Sequence, residues 1–379
     1  MDDALREKAF RSLEETFANR FRRYAPGESE LDADVPIASV LPQSAEEVEL
    51  LTELAARHSL PLAARGASTA LYSGAARGVV DVRFDLMRGM RLPESGEDWV
   101  EVEPGITWMV LEDTLRATGK SPTVYPTSAP RATVGGWLAE NGLGVGSFEY
   151  GWLLENVLSV EVVLAGGART TVRSVDLRRL VGSRGNVGFI VGARLATRAA
   201  DKDVPVAAAF RTAEDLAGAV LDLYWARAPL WHAALLNPRM ARARNLEEDY
   251  VLFGAYPGER ATRVGPDLRK ALESHGGRFM SQRDAGRIWE ERFFPVSPLG
   301  PTPAPGRALV SAPGLAPTLR RLEKNLPGVA LQGTIARDGE IWLLAFETVR
   351  QGEGLLDLNA AADDELLRVA SESWRYRWR

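Results

Sequence analysis

The 379-residue chain contains no cysteine. That excludes disulfides, thiolate metal ligands, iron–sulfur ligation by this chain, a cysteine nucleophile and any cysteine-linked cofactor. Histidine is nearly as scarce. His58, His232 and His275 are the three present, and their spacing makes no HxH or HExxH metal pattern. No apolar run reaches about eighteen residues, so no membrane span is expected. The charged opening MDDALREKAF does not read as a secretory signal. A net charge of −5 argues against nucleic acid or an anionic membrane as the main partner. What is present, 45% hydrophobic and 26% charged residues, is the composition of a soluble globular protein, with the cytoplasm as the expected location.

Three nucleotide or hydrolase motifs are approached and missed. GKS at 119–121 lacks the first P-loop glycine, because position 114 is Thr114. GAST at 66–69 lacks the second glycine of a nucleophile elbow, which is Ala70. GLGVGS at 142–147 has the wrong glycine spacing for a Rossmann turn and follows helical rather than strand-like sequence.

The periodicity predicts an amphipathic helix over 2–24, then strand–helix alternation from 35. Ser44 and Glu47 form a capping box for a helix in SAEEVELLTELAARH. VLSVEVVLAGGARTTVR reads as a hairpin. A helix opened by Thr212, further strand–helix alternation and a terminal helix in DDELLRVASESWRYRW follow. The proline-rich 295–306 reads as an extended connection. Four segments result: a lead-in helix over 1–34, a first domain over 35–199, a second over 200–350 and a C-terminal helix over 351–379.

Glycine is concentrated in LAARGASTALYSGA (62–75) and TSAPRATVGGWLAENGLGVGSFEYG (127–151), with a third turn in GSRGNVGFI (182–190). Loops of successive backbone N–H groups without Cβ atoms suit the close approach of an anion such as pyrophosphate. Arg65, Ser68, Thr69, Ser128 and Thr133 supply further donors.

In this order the segments resemble the PCMH-type FAD-binding domain shared by vanillyl-alcohol oxidase, D-lactate dehydrogenase and glycolate oxidase flavin subunits, over about residues 35–199. The resemblance implies an α+β fold, with a FAD-binding domain of two α+β lobes and a smaller α+β cap domain. It implies FAD contacts from the first loop (Arg65, Gly66, Ala67, Ser68, Thr69, Ala70). It adds the segment past the ring and phosphates (Thr127, Ser128, Thr133) and a helix N-terminus at Gly135 and Gly136. Gly146, Ser147, Tyr150 and Gly151 fall by the isoalloxazine and ribityl region, and Gly185, Gly188, Phe189 and Ile190 at the adenine end. Ala67 and Ser68 stand where the family loop has glycines. With no histidine in that loop and no cysteine in the chain, a non-covalent flavin is implied. The family's histidine-rich metal motif is absent, and no metal is expected.

The function implied is an FAD-dependent oxidoreductase passing hydride from a small 2-hydroxy acid or alcohol to the flavin, similar to a glycolate oxidase subunit. A non-catalytic FAD-binding partner subunit and a sugar or aromatic alcohol oxidase stand as alternatives. Electron acceptors would be oxygen, a soluble acceptor, or a second flavin subunit with an iron–sulfur subunit. A carboxylate substrate calls for an arginine. His232, Arg239, Tyr250 and Arg278 in the second domain, and Arg131, Glu149 and Tyr150 nearer the flavin segments, are the candidates that spacing leaves open.

Overall fold

The structure, a computed structural model, describes residues 3–24, 36–67, 69, 78–94, 96–293, 306–348 and 355–356. It divides into two units. The first comprises Met1–Pro122, Ala129–Gly142 and Asn156–Arg198; the second comprises Thr123–Ser128, Leu143–Glu155 and Ala199–Arg379.

The first unit has two α+β lobes. Helix α1 (Asp3–Phe17) buries Ala9, Phe10, Leu13 and Phe17 on one face. The expected helix over 2–24 stops early. A left-handed Ala18 and a 3₁₀ turn end it, and Phe21–Arg23 forms strand β1, so that Phe21 meets Phe10 edge-on at 5.5 Å. A mixed four-stranded sheet, in order β1–β2–β4–β3, adds β2 (Ala38–Val40), β3 (Leu62–Arg65) and β4 (Val80–Arg83), the last three mutually parallel. Helix α2 (Ala45–Arg57) connects β2 to β3. Its Ser44 cap accepts the Glu47 N–H at 3.3 Å, while the Glu47 carboxylate accepts from Gln43 N–H rather than closing the box on Ser44.

The second lobe is a sheet of β5 (Met90–Arg91), β6 (Trp99–Val102), β7 (Lys120–Pro122), β8 (Val157–Val163), β9 (Arg169–Arg173) and β10 (Phe189–Ala199). β8 and β9 make the expected hairpin, turning through Gly166 and Gly167, both at positive φ. Helices α3 (Trp108–Arg116) and α4 (Val134–Glu140) pack Trp108 edge-on against Trp137 at 5.1 Å. The four-residue α5 (Ser147–Tyr150) groups with the second unit, and α6 (Leu177–Leu180) completes the first.

The second unit is built on an antiparallel sheet of β11 (Asp203–Phe210), β12 (His232–Leu236), β13 (Tyr250–Pro257), β14 (Arg278–Phe279), β15 (Gly306–Ser311), β16 (Val329–Ile335), β17 (Glu340–Thr348) and β18 (Leu355–Leu356). Its strands are apolar on both faces because each face is covered. α7 (Ala213–Trp225), α9 (Ala261–Glu273) and α11 (Leu315–Asn325) contribute to one core, α8 (Pro238–Ala243) and α10 (Gln282–Glu290) to another. Thr212 caps α7 as expected, accepting from Asp215 N–H. Asn237 does more than cap α8. Its Oδ1 accepts from Met240 and Leu331 N–H, and its Nδ2 donates to the Val329 carbonyl and Glu323. The expected terminal helix and, save Gly306, the proline-rich connection lie outside the described residues. Among the described residues no helix is long and apolar enough to cross a membrane.

Candidate functional site

In the first unit, the loop after β3 meets the start of α4. A Cβ built on Gly66 would fall 2.9 Å from Thr133 Oγ1 and 3.4 Å from Gly136 Cα, and one on Gly136 would fall 3.0 Å from the same hydroxyl. Glycine at 66 and 136 is therefore what lets the two segments touch across Thr133. Thr133 is the cap of α4, its Oγ1 accepting the Gly136 N–H at 3.2 Å, which leaves the hydroxyl hydrogen to donate elsewhere. Among the described residues, the N–H groups of Gly66, Ala67 and Thr69 reach no acceptor. Ser68 and Ala70 lie outside the described residues. The Arg65 guanidinium does not extend the loop as a free donor, because it forks onto the buried Asp81 of β4, with Nη2–Oδ1 at 3.2 Å.

The α4 N-terminus departs from expectation. Gly135 is demanded by packing: its Cβ would come 2.6 Å from Pro104 Cβ. The first three N–H groups of the helix are already used. Val134 donates to the Ile106 carbonyl and Gly135 to Pro104, both at 2.9 Å, and Gly136 donates to Thr133. An anion at this end would feel the helix dipole but find no vacant amide.

The third glycine turn folds against the other end of α4. Gly182 and Arg184 N–H donate to the carbonyls of Leu138 and Ala139 at 2.9 and 2.8 Å. Gly185 sits at φ +80°, and Gly188 passes so close to β8 that a Cβ would lie 2.5 Å from the Val163 carbonyl. Phe189 and Ile190 begin β10, pairing with Val163 and Val162.

In the second unit, Tyr125 and Val145 exchange backbone hydrogen bonds of 3.0 and 2.7 Å. The glycines here again answer to the protein's own backbone. A Cβ on Gly144 would lie 2.1 Å from the Tyr125 carbonyl, and one on Gly146, at φ +98°, 2.1 Å from the Thr123 carbonyl. Ser147 is fully buried. Its hydroxyl accepts from Gly144 N–H at 2.9 Å and its carbonyl from Arg337 N–H at 3.0 Å, so it is a structural brace rather than a surface donor. Tyr150 is half-buried beside Gly151 (φ +76°), and Glu149 pairs with Arg260 at 2.8 and 2.9 Å. Thr127 is buried and Ser128 half-buried. Arg131 is half-buried in the turn that leads into α4.

The second-domain candidates also resolve. Arg278 pairs with Glu247 and Asp249, and Arg239 lies 3.9 Å from Glu248. Tyr250 donates to Glu323 at 2.6 Å, and burial together with that carboxylate pushes its phenol up. His232 is 1% exposed, boxed by Trp231, Phe253 and Trp289, and neither ring nitrogen has a hydrogen-bond partner among the described residues. Burial, reinforced by Arg292, pushes its pKa down to about 3, so the imidazole is neutral and shut away from solvent. A general base needs a pKa near the working pH and access to a substrate proton, and this imidazole has neither.

Sequence reading missed Arg292. Its guanidinium lies 4.4 Å from the ring centroids of Trp289 and of Phe293, donates to the Tyr125 hydroxyl at 3.0 and 3.2 Å, and donates to the Trp289 carbonyl at 2.9 Å. Among the described residues it has no carboxylate partner. Arg244 holds the neighbouring backbone, donating to the carbonyls of Glu291 and Phe293 and to Gln332, while Gln332 donates to the Arg292 carbonyl at 2.8 Å. Burial brings Arg244 down to about 10. Tyr125 and Arg292 are 167 positions apart, and only a count of arginines lacking an acidic neighbour in space would have singled out the latter.

Residues 36–173 match a family model described as an FAD binding domain. The chain carries an FAD-binding domain. Among curated relatives, it is 26% identical over 331 residues to a mitochondrial D-lactate dehydrogenase [cytochrome] of Arabidopsis thaliana, covering 80% of this chain and 58% of that one. It is 30% identical over 195 residues to a D-lactate dehydrogenase of Archaeoglobus fulgidus, covering 48% and 44%. It is 28% identical over 173 residues to the glycolate oxidase subunit GlcD of Bacillus subtilis, covering 42% and 36%. The chain thus spans less than two thirds of each of these relatives. Among solved structures, p-cresol methylhydroxylase with substrate bound superposes with a TM-score of 0.75 at 15% identity, over 98% of this chain and 87% of that one. The 4-ethylphenol oxidase of Gulosibacter chungangensis gives 0.74 at 15% identity, over the same shares. The fold is the α+β fold of these flavoprotein structures.

The first unit fits FAD. The loop amides of Gly66, Ala67 and Thr69, with the spare hydrogen of Thr133, would hold the phosphates, and the missing Cβ atoms at 66 and 136 keep that floor open. The Arg65–Asp81 pair anchors the strand from which this loop departs.

Proposed function

We propose that the protein is an FAD-dependent oxidoreductase acting on the CH–OH group of a small 2-hydroxy acid, with a non-covalently held flavin and a cytoplasmic location. The flavin, when bound, accepts hydride from the carbinol carbon. The observation that carries the substrate class is Arg292, a half-buried guanidinium with no carboxylate of its own among the described residues. Three of its five N–H groups are used by Tyr125 and Trp289, leaving two for a carboxylate fork. The aromatic walls exclude water and strengthen that pairing. Tyr125 keeps the guanidinium plane fixed, and Arg244 with Gln332 fixes its backbone.

The test is anaerobic bleaching of the purified flavoprotein with paired substrates, each 2-hydroxy acid against the alcohol lacking its carboxylate. R292Q should raise KM for the acid about 10–100-fold, the value of a charge-assisted bond, and leave KM for the alcohol unchanged. Equal reduction by both partners of each pair would overturn the reading. The aromatic enclosure by Trp289, Phe293 and Tyr125 supports a second reading, an aromatic alcohol or phenol as substrate, for which bleaching by such compounds alone is the signature. A flavin that is bound but reduced by neither class identifies a partner subunit of a larger dehydrogenase, with electrons passing through a second flavin or an iron–sulfur subunit.

A further inference from the structure

Arg292 lies just past the end of α10, where backbone carbonyls no longer meet the amides of a following helical turn. Three carbonyls in succession are nevertheless held. Arg244 donates through Nη1 to the Glu291 carbonyl and through Nη2 to the Phe293 carbonyl at 3.1 Å. Between them, Gln332 Nε2 donates to the Arg292 carbonyl at 2.8 Å. Arg244 Nη2 also reaches Gln332 Oε1 at 2.6 Å, so the two side chains orient each other. The grip is returned: Arg287, in the last turn of α10, donates to the Arg244 carbonyl at 2.7 Å. Arg244 closes α8 and Gln332 belongs to β16, so three elements of the second unit meet at one short segment.

Arg244 and Gln332 are buried, and among the described residues Arg244 makes no ion pair. A buried guanidinium without a carboxylate is costly. Here the cost is offset by three neutral oxygens, at the C-terminal end of a helix where a cation is favoured. The planar fork lets one side chain span two separate carbonyls, which a lysine ammonium on its flexible stem does not. The carbonyls of Glu291 and Arg292 belong to the two peptide planes that flank the Arg292 Cα. Because peptides are planar, holding both planes sets the Arg292 backbone dihedrals and the direction in which its side chain leaves the chain. We propose that Arg244 is a positioning residue for acid selectivity: with Gln332 it pins those two planes and so aims the Arg292 guanidinium at the substrate carboxylate. This rests on the reading of Arg292 as the carboxylate partner. Tyr125 and Trp289 hold the far end of the same side chain, so Arg292 is fixed at its root as well as at its tip.

The experiment uses the full-length flavoprotein and follows anaerobic flavin reduction over a range of substrate concentrations, with protein melting measured in parallel. The substrates are the 2-hydroxy acid that reduces the flavin fastest and the alcohol lacking its carboxylate. R244Q is expected to raise KM for the acid about tenfold with a much smaller change in the limiting rate, the signature of a displaced binding group. The double variant R244Q/R292Q is expected to bind the acid no worse than R292Q, because a residue that acts through Arg292 is silent once that guanidinium is gone. A wild-type KM in R244Q overturns the proposal, as do losses that add in the double variant. If R244Q melts early, R244K is read instead: it keeps the charge and cannot span the two carbonyls, so a raised KM supports the proposal and a wild-type KM overturns it. A wild-type protein reduced equally by acid and alcohol defeats the reading of Arg292 and the proposal with it. Acid selectivity that survives R244Q but is lost in R292Q defeats the positioning role alone.

Discussion

Gly135 and Gly136 stand side by side at the start of α4, yet the structure gives them different reasons to be glycine. A Cβ at 135 would sit 2.6 Å from Pro104 Cβ and 3.2 Å from Pro104 Cα and O. Carbon pairs pack best at about 3.5–4.0 Å, so about 1 Å of movement is required. Pro104 cannot easily supply it. Its carbonyl accepts from Gly135, and Gly105 behind it donates to the Met87 carbonyl at 2.8 Å, with no room for a Cβ against the Phe84 carbonyl. Overpacking of this kind costs about 1–3 kcal/mol, offset by about 1 kcal/mol that alanine gains over glycine in a helix. G135A should therefore destabilise the apoprotein by up to about 2 kcal/mol, and each kcal/mol lowers Tm by about 2–4 °C in a unit of this size. At 136 the obstacle is the Thr133 hydroxyl at 3.0 Å, a side-chain atom that can swing away. G136A should leave apoprotein Tm unchanged or raised and weaken FAD, because the displaced hydroxyl no longer faces the loop at Gly66. The assay is differential scanning calorimetry of both apoproteins beside FAD titration. Equal Tm for G135A and wild type, with FAD affinity lost as in G136A, would refute the assignment of Gly135 to packing.

His232 makes stability pH-dependent. Its folded pKa, about 3, lies below the ordinary 6.5, so between these values the unfolded chain binds a proton that the folded one does not. Stability is therefore lost as pH falls through that window, by about 2 kcal/mol at pH 5. H232L should flatten the pH dependence of urea midpoints between pH 7 and 5; an unaltered slope contradicts the buried neutral imidazole. N237A should destabilise by about 3 kcal/mol in urea unfolding, since it removes the α8 cap and strands Leu331 N–H and the Val329 carbonyl; a loss under 1 kcal/mol would show that water replaces those bonds. G66A should weaken FAD at least as much as G136A in the same titration, because it crowds Thr133 and the loop together; an unchanged Kd would remove this loop from the phosphate site.

Much of the fold was legible in the sequence because it is written in local signals. Ser44 and Thr212 announce helix starts, and the glycine pair at 166–167 announces the β8–β9 turn. The α1 boundary was not legible, because an apolar Phe21 serves a helix stripe and a strand equally well and only pairing with β2 decides between them. The glycine-rich segments were legible as places of close backbone approach, but the neighbour that demands each glycine was not. Gly135, Gly144, Gly146 and Gly188 are spaced for the protein's own Pro104, Tyr125, Thr123 and Val163. A close approach leaves the same mark on a sequence whether the neighbour is a ligand or another strand.

The order of the glycine segments, through the family that they resemble, therefore pointed to the cofactor class and the α+β architecture without coordinates, because each segment is read from residues near one another in the chain. Which arginine lacks an acid, which histidine is sealed and which hydroxyl is already spent were decided only by tertiary structure. Arg292 meets Tyr125 across 167 positions and Arg260 meets Glu149 across 111, and no local pattern records a charge balance made at that distance.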